Sequence, residues 1–173
     1  MHYGRGLEFL ARCITVRQWQ LERHGKYKEM SILEKKHQLI DRLAIIEDVE
    51  ERLGYIIDRG RKAPGLTDDF KIPAFKIEGC SSNLWMAPGY ENGICHFRSD
   101  ADAIITRGIA HLLCELYSGN PPEEIITLPP DFLAELGIKQ HLSPNRSAGL
   151  ANIWKKIKGY AEMHLASPSS TTQ

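Results

Sequence analysis

An α+β fold, a small antiparallel sheet of about three strands packed with surrounding helices, is what this sequence predicts. Three observations lead there. Apolar residues recur at helical spacing before and after a central stretch. Residues 75–98, in that stretch, alternate like strands and are punctuated by turn residues. No internal repeat and no strand–helix alternation points to a solenoid or a parallel sheet. The 173 residues correspond to about one domain.

The elements follow in order. Ser31 with Glu34 three residues later is a capping-box signature, and Leu33, His37, Ile40 and Leu43 then recur at helical spacing. Asp48 caps a second helix with an apolar face of Val49, Leu53, Ile56 and Ile57, ending near Gly60 before the Pro64-Gly65 break. Residues 65–74 read as a loop. Phe75 and Ile77, and then Leu84-Trp85-Met86, flank Gly79-Cys80-Ser81-Ser82, so a loop around Cys80 joins the first two strands. The stretch from Pro88 to Gly93 is a turn signal, and Ile94 to Arg98 is the third strand.

Ser99-Asp100 reads as the cap of a long helix. Its buried stripe is Ala103, Ile104, Gly108, Leu112 and Leu116, with Ile105, Ile109 and Leu113 beside it, and it stops at Ser118-Gly119. Pro121-Pro122-Glu123-Glu124 and Pro129-Pro130-Asp131 each open a short helix. The stretch from His141 to Arg146 is a polar loop, and Gly149 to Leu165 is a final amphipathic helix. The expected domain is 30–165, followed by a disordered polar tail over 166–173. Residues 1–29 stand apart, with six Lys/Arg against three acids and Leu7, Leu10, Ala11 and Ile14 on one possible helical face. They read as a loose extension or a start codon placed too far upstream. An Arg-rich, acid-poor segment also fits an organelle transit peptide, against which stands the absence of any serine.

Charge and composition narrow the function. Lys+Arg and Asp+Glu both number 22, which argues against a basic nucleic-acid-binding surface. No apolar run approaches the roughly 18–20 residues of a membrane helix, and no signal peptide is visible, so a reducing cytoplasm is expected. Cys13, Cys80, Cys95 and Cys114 show no zinc-finger spacing and do not suggest a disulfide-stapled secreted domain. Cys95 and Cys114 fall on strand and helix patterns and read as buried. Cys80 follows a glycine in a turn between strands. It is either an inert buried cysteine or a functional one, and its loop position favours the second. No Lys or Arg is adjacent in sequence to lower its pKa.

At these residues the chain resembles the SufE/CsdE family of sulfur-acceptor proteins of iron–sulfur cluster assembly, from about Tyr55 to Ala161. The matching blocks are Gly79-Cys80-Ser81-Ser82-Asn83-Leu84-Trp85, Ser99-Asp100-Ala101-Asp102-Ala103-Ile104, Tyr117 to Ile125, and His141 to Leu150. Ser81 and Asn83 stand where the family often has glutamine, and Leu84 where it has valine. The resemblance implies a SufE-like fold, similar to that of iron–sulfur scaffold proteins, and makes Cys80 the persulfide acceptor. The implied partner is a pyridoxal-phosphate (PLP) cysteine desulfurase of the SufS/CsdA type, whose turnover the chain stimulates without being an enzyme itself. Sulfur then passes to an iron–sulfur scaffold or another acceptor. The cofactor is the partner's, so no cofactor or metal is expected here. Nucleic-acid and membrane partners are not expected, and the chain is expected to be a monomer or weak dimer. The resemblance also implies a loop tucked over an apolar surface when unbound.

Supporting residues have plainer alternatives. Arg146 is a contact to the desulfurase by resemblance, or an ordinary surface or helix-start arginine. Asp102 is helix N-terminal charge, in a region that the resemblance places beside the active loop. His141 is expected to bond Ser143 or nearby backbone, with a partner contact as the alternative. Trp85 reads as core or loop support. Two competing functions remain: an iron–sulfur or zinc scaffold, which needs three or four converging ligands, and a cysteine hydrolase pairing Cys80 with His141 or His111.

Overall fold

The computed structural model describes residues 30–80 and 82–166. The 1–29 extension with Cys13, and the tail from residue 167, lie outside the described residues. Helix α1 (Ile32–Ala44) opens with the expected capping box: the Glu34 amide donates to Ser31 Oγ, and the Ser31 amide donates back to the Glu34 carboxylate. Its buried side is Ile32, Leu39 and Leu43. Leu33 and His37, placed on that side by spacing, face outward. Asp48 caps α2 (Val49–Lys62) by accepting from the Glu51 amide, and the helix runs two residues past Gly60.

Two antiparallel strands form the sheet among the described residues, β1 (Leu84–Glu91) and β2 (Ile94–Ala101). The expected strand at Phe75–Ile77 is absent. Pro73 locks its φ and lacks an N–H, and a 3-10 turn over Pro73–Phe75 takes its place. What remains is a single bridge between Lys76 and Trp85, with the Ile77 amide donating to the Leu84 carbonyl at 2.8 Å. The hairpin turns later than expected, at Asn92-Gly93, whose φ values of 52° and 83° are those of a two-residue type I′ turn. β1 therefore passes through Pro88, which an edge strand tolerates. β2 extends through Ser99 and Asp100, so these residues do not cap the long helix.

The period-two alternation separates the two sheet faces. Leu84, Met86, Cys95, Phe97 and Ala101 join the main core with the helices. Ala87 packs on the other face with Leu66 and Phe75, and Trp85 is part-buried against that cluster. Trp85 is thus local support, with Lys71 Nζ 5.7 Å from its ring centroid. Helix α3 (Ile104–Tyr117) buries Gly108, Ile109, Leu112, Leu113 and Leu116. Ile104, expected in the stripe, is exposed. The close crossing of α2 and α3 rests on Gly60 and Gly108: a β-carbon on Gly60 would lie 2.5 Å from Gly108 Cα. The two short helices are α4 (Pro122–Ile126) and α5 (Phe132–Glu135).

Helix α6 (Pro144–Ala166) begins five residues before Gly149 and takes in part of the expected polar loop. Pro144 suits a first helical position because its missing N–H would have no partner there. The preceding residues form a 3-10 turn over Lys139–His141. Buried polar residues tie the layers. Arg52 donates to the carbonyls of Leu43, Ile46 and Leu136. Asp100 pairs with Arg107 at 2.7 Å and Lys71 at 3.0 Å and accepts from the Leu66 amide.

Candidate functional site

The segment between the 3-10 turn and β1 carries Cys80 onto α6. Gly79 adopts φ 83°, a conformation that a residue with a β-carbon rarely takes. This lets the chain turn directly against the helix. The Asn152 amide then donates from Nδ2 to the Glu78 carbonyl at 2.8 Å. Beyond the turn Cys80 is half-buried and packs against the main core. Its Sγ lies in the space that a β-carbon on Gly149 would need. On the far side of the loop, Asn83 Nδ2 donates to Asp102 Oδ2 at 2.8 Å, and the Asp102 amide donates to the Asn83 carbonyl at 3.1 Å. The loop is fastened at both flanks.

The electrostatics match the seclusion. Burial pushes the Cys80 thiol above its ordinary value, which favours the protonated form. No hydrogen bond reaches the thiol among the described residues. Cys95 and Cys114 are buried more deeply, and their pKa values are pushed up to about 12. Burial is the main cause for both, and the Glu123 charge adds to it for Cys95. Structural cysteines have this character.

The other expected residues divide. Asp102 is exposed, lies before the Ala103 N-cap of α3 rather than in its first turn as expected, and flanks the Cys80 loop through Asn83. Arg146 is part-exposed in the first turn of α6 and makes no hydrogen bond or ion pair among the described residues. Arg146, Gly149 and Asn152 are spaced three apart, which makes them neighbours along one side of the helix. His141 is exposed, and only its amide is engaged, donating to the Ile138 carbonyl at 3.1 Å. The expected side-chain bond to Ser143 or nearby backbone is not formed among the described residues. His111 lies 4.0 Å from Glu115 on its own helix. No group of three or more His, Cys, Asp or Glu able to hold a metal occurs among the described residues, so the ligand set a scaffold needs is not assembled there.

Sequence reasoning missed Gly149 and Asn152 as parts of this site. One signal was present. A glycine inside a helix costs about 1 kcal/mol relative to alanine and asks for a packing reason. Here that reason is the Cys80 side chain.

Comparison with known proteins identifies the family. Residues 37–161 match the family described as "SufE: Fe-S metabolism associated domain". An uncharacterized SufE-like protein of Rhizobium etli is 34% identical over 134 residues, covering 75% of this chain and 90% of that protein. SufE-like protein 1, chloroplastic/mitochondrial, of Arabidopsis thaliana is 31% identical over 132 residues, which cover 76% of this chain and 35% of the plant protein. The solution structure of a hypothetical protein from Thermus thermophilus shares the fold with a TM-score of 0.64 at 20% identity, covering 77% of this chain and 97% of that one. With a domain match across most of its length and relatives of this kind, the chain belongs to the SufE family, a family associated with Fe–S metabolism.

Proposed function

We propose that the chain accepts sulfane sulfur on Cys80 from a PLP-dependent cysteine desulfurase of the SufS/CsdA type, and passes it on for iron–sulfur cluster assembly. The observation that carries this reading is the contrast among the described cysteines. Cys80 alone lies in a loop and is partly accessible, whereas Cys95 and Cys114 are sealed in the core.

The step balances as a thiol exchange. The Cys80 thiolate attacks the outer sulfur of the partner's persulfide and forms a new S–S bond. The old S–S bond breaks, and its electron pair leaves on the partner's cysteine as a thiolate. No cofactor of this chain takes part. Product removal frees the desulfurase cysteine for another turnover, which is how a non-enzymatic acceptor stimulates its partner. Arg146 and Asp102, on either side of the loop, are the residues we assign to partner contact, with His141 on the exposed turn before α6. Among the described residues no helix is long and apolar enough to cross a membrane, and we place the reaction in a reducing, cytoplasmic setting.

The test is mass analysis of the full chain after incubation with an active cognate desulfurase, pyridoxal phosphate and cysteine, beside Cys80→Ser. The expected result is one added sulfur, mapped to the Cys80 peptide, removed by reductant and absent from the variant. No added sulfur in the wild type, or an equal gain in the variant, overturns the proposal.

A further inference from the structure

Two residues of α6, Gly149 and Asn152, lie against the segment that carries Cys80. Asn152 reaches across 74 positions of sequence to the Glu78 carbonyl, two residues before Cys80. Gly79 turns so closely beneath it that a β-carbon there would lie 2.6 Å from Asn152 Nδ2. One turn earlier on α6, the missing side chain of Gly149 leaves the recess that receives the thiol. Apart from its chain neighbours and its own helix backbone, a β-carbon on Gly149 would meet, among the described residues and within 4 Å, only Cys80, at its Sγ and, 3.7 Å away, its Cβ. Glycine weakens a helix interior, and outside its own helix backbone no steric demand other than Cys80 falls on this one among the described residues.

We propose that Asn152 is a positioning residue for Cys80, a latch that, with Gly149 as the seat of the thiol, keeps the nucleophile retracted until the loop lifts from α6. The functional meaning of the latch rests on Cys80 being the sulfur acceptor, but the retraction belongs to the free chain. A single hydrogen bond and a recess with room for one sulfur hold this side of the loop, so a partner that competes for the Glu78 carbonyl or for the helix face would release it. Release returns the thiol to water and removes the burial that disfavours its thiolate.

The experiment is alkylation of the full chain by iodoacetamide across a pH series, reading the Cys80, Cys95 and Cys114 peptides separately by mass. The Cys80 thiolate displaces iodide and forms a C–S bond, its proton having gone to solvent. Asn152→Ala is expected to speed Cys80 labelling roughly threefold to tenfold, the factor of one lost hydrogen bond. Asn152→Asp keeps the shape without the donor and is expected to match it, which a space-filling role for Asn152 does not predict. Gly149→Ala, favourable for the helix, is expected to exceed both. In Asn152→Ala and Gly149→Ala the pH midpoint of labelling moves down toward that of an ordinary cysteine, while Cys95 and Cys114 stay unlabelled in all three variants. Unchanged Cys80 labelling in all three variants overturns the latch, and so does a rise seen only when Cys95 and Cys114 label in step. Sulfur loading is scored separately. Faster alkylation in the variants with no loading of the wild type refutes the acceptor and leaves the latch; normal loading with unchanged alkylation does the reverse.

Discussion

Asn83 and Asp102 bind each other twice across 19 positions of sequence, side chain to side chain at 2.8 Å and backbone to backbone at 3.1 Å. The pairing joins the end of the Cys80 loop to the turn between β2 and α3, so the position of the loop depends on where the sheet hands over to the helix. Asp102→Ala removes the side-chain bond and leaves the backbone one. Because both side chains are exposed, the expected loss of stability is below about 1 kcal/mol. The expected local effect is larger: the Asp102 amide should exchange faster with deuterium, while amides in α2 and the middle of α3 keep their protection. Uniform loss of protection throughout the domain contradicts this local role.

Arg146 separates binding from folding. Its side chain makes no hydrogen bond or ion pair among the described residues, so Arg146→Glu should change stability by less than about 0.5 kcal/mol. Under the proposed function it should weaken stimulation of the desulfurase, through the concentration of this chain needed for half-maximal effect rather than through the maximal rate. A titration of desulfurase turnover at two ionic strengths reads both quantities. An unchanged half-maximal concentration removes Arg146 from the contact surface.

Asp100 makes stability depend on pH at the acid end. Burial alone would raise its pKa, but the Lys71 bond, the Leu66 amide and the Arg107 charge outweigh burial and lower it. A carboxylate with a folded-state pKa below its unfolded one stabilises fully above the ordinary carboxylate range, and that contribution is lost as pH falls through the lowered value. Asp100→Asn should therefore cost about 1–3 kcal/mol at neutral pH, discounted because Lys71 and Arg107 are partly exposed and can rehydrate. It should also flatten the decline of stability below about pH 4, the ordinary carboxylate range. Urea denaturation at neutral and acid pH measures both. A variant as acid-sensitive as the wild type sinks the assignment.

Arg52 carries a purely structural load. Its buried guanidinium satisfies the carbonyls of Leu43, Ile46 and Leu136, which lie at the end of α1, before α2 and after α5. Arg52→Met keeps the aliphatic length and abandons the carbonyls, so a loss of about 2–4 kcal/mol is expected, from more than one buried group left unpaired. The check is the urea midpoint, with an unchanged slope indicating that only stability has moved.

Much of this fold was legible because its signals are local. A capping box closes over four residues, so Ser31 and Glu34 marked the start of α1, and Asp48 did the same for α2. Pro122 marked α4 in the same way, through the fixed φ of proline. Asn92 and Gly93 lay inside the turn signal that began at Pro88, although strand pairing carried β1 as far as Glu91. Cys80 stood out as a cysteine beside a glycine in a loop, within a block that carries the family resemblance.

What escaped the sequence is what depends on partners far along the chain. Ser99 and Asp100 have the composition of a helix cap, but β2 continues through them, because Asp100 is needed by Lys71, Arg107 and Leu66. The first expected strand, at Phe75 and Ile77, gave way to a 3-10 turn that opens at Pro73, whose fixed φ outweighed the alternation. The setting of the nucleophile was the least visible feature. Residue type alone made Cys80 a nucleophile in principle. Its seclusion came from packing, because a thiol shielded by Gly149, and a carbonyl held by Asn152 from 74 residues away, exist only once α6 lies against the loop.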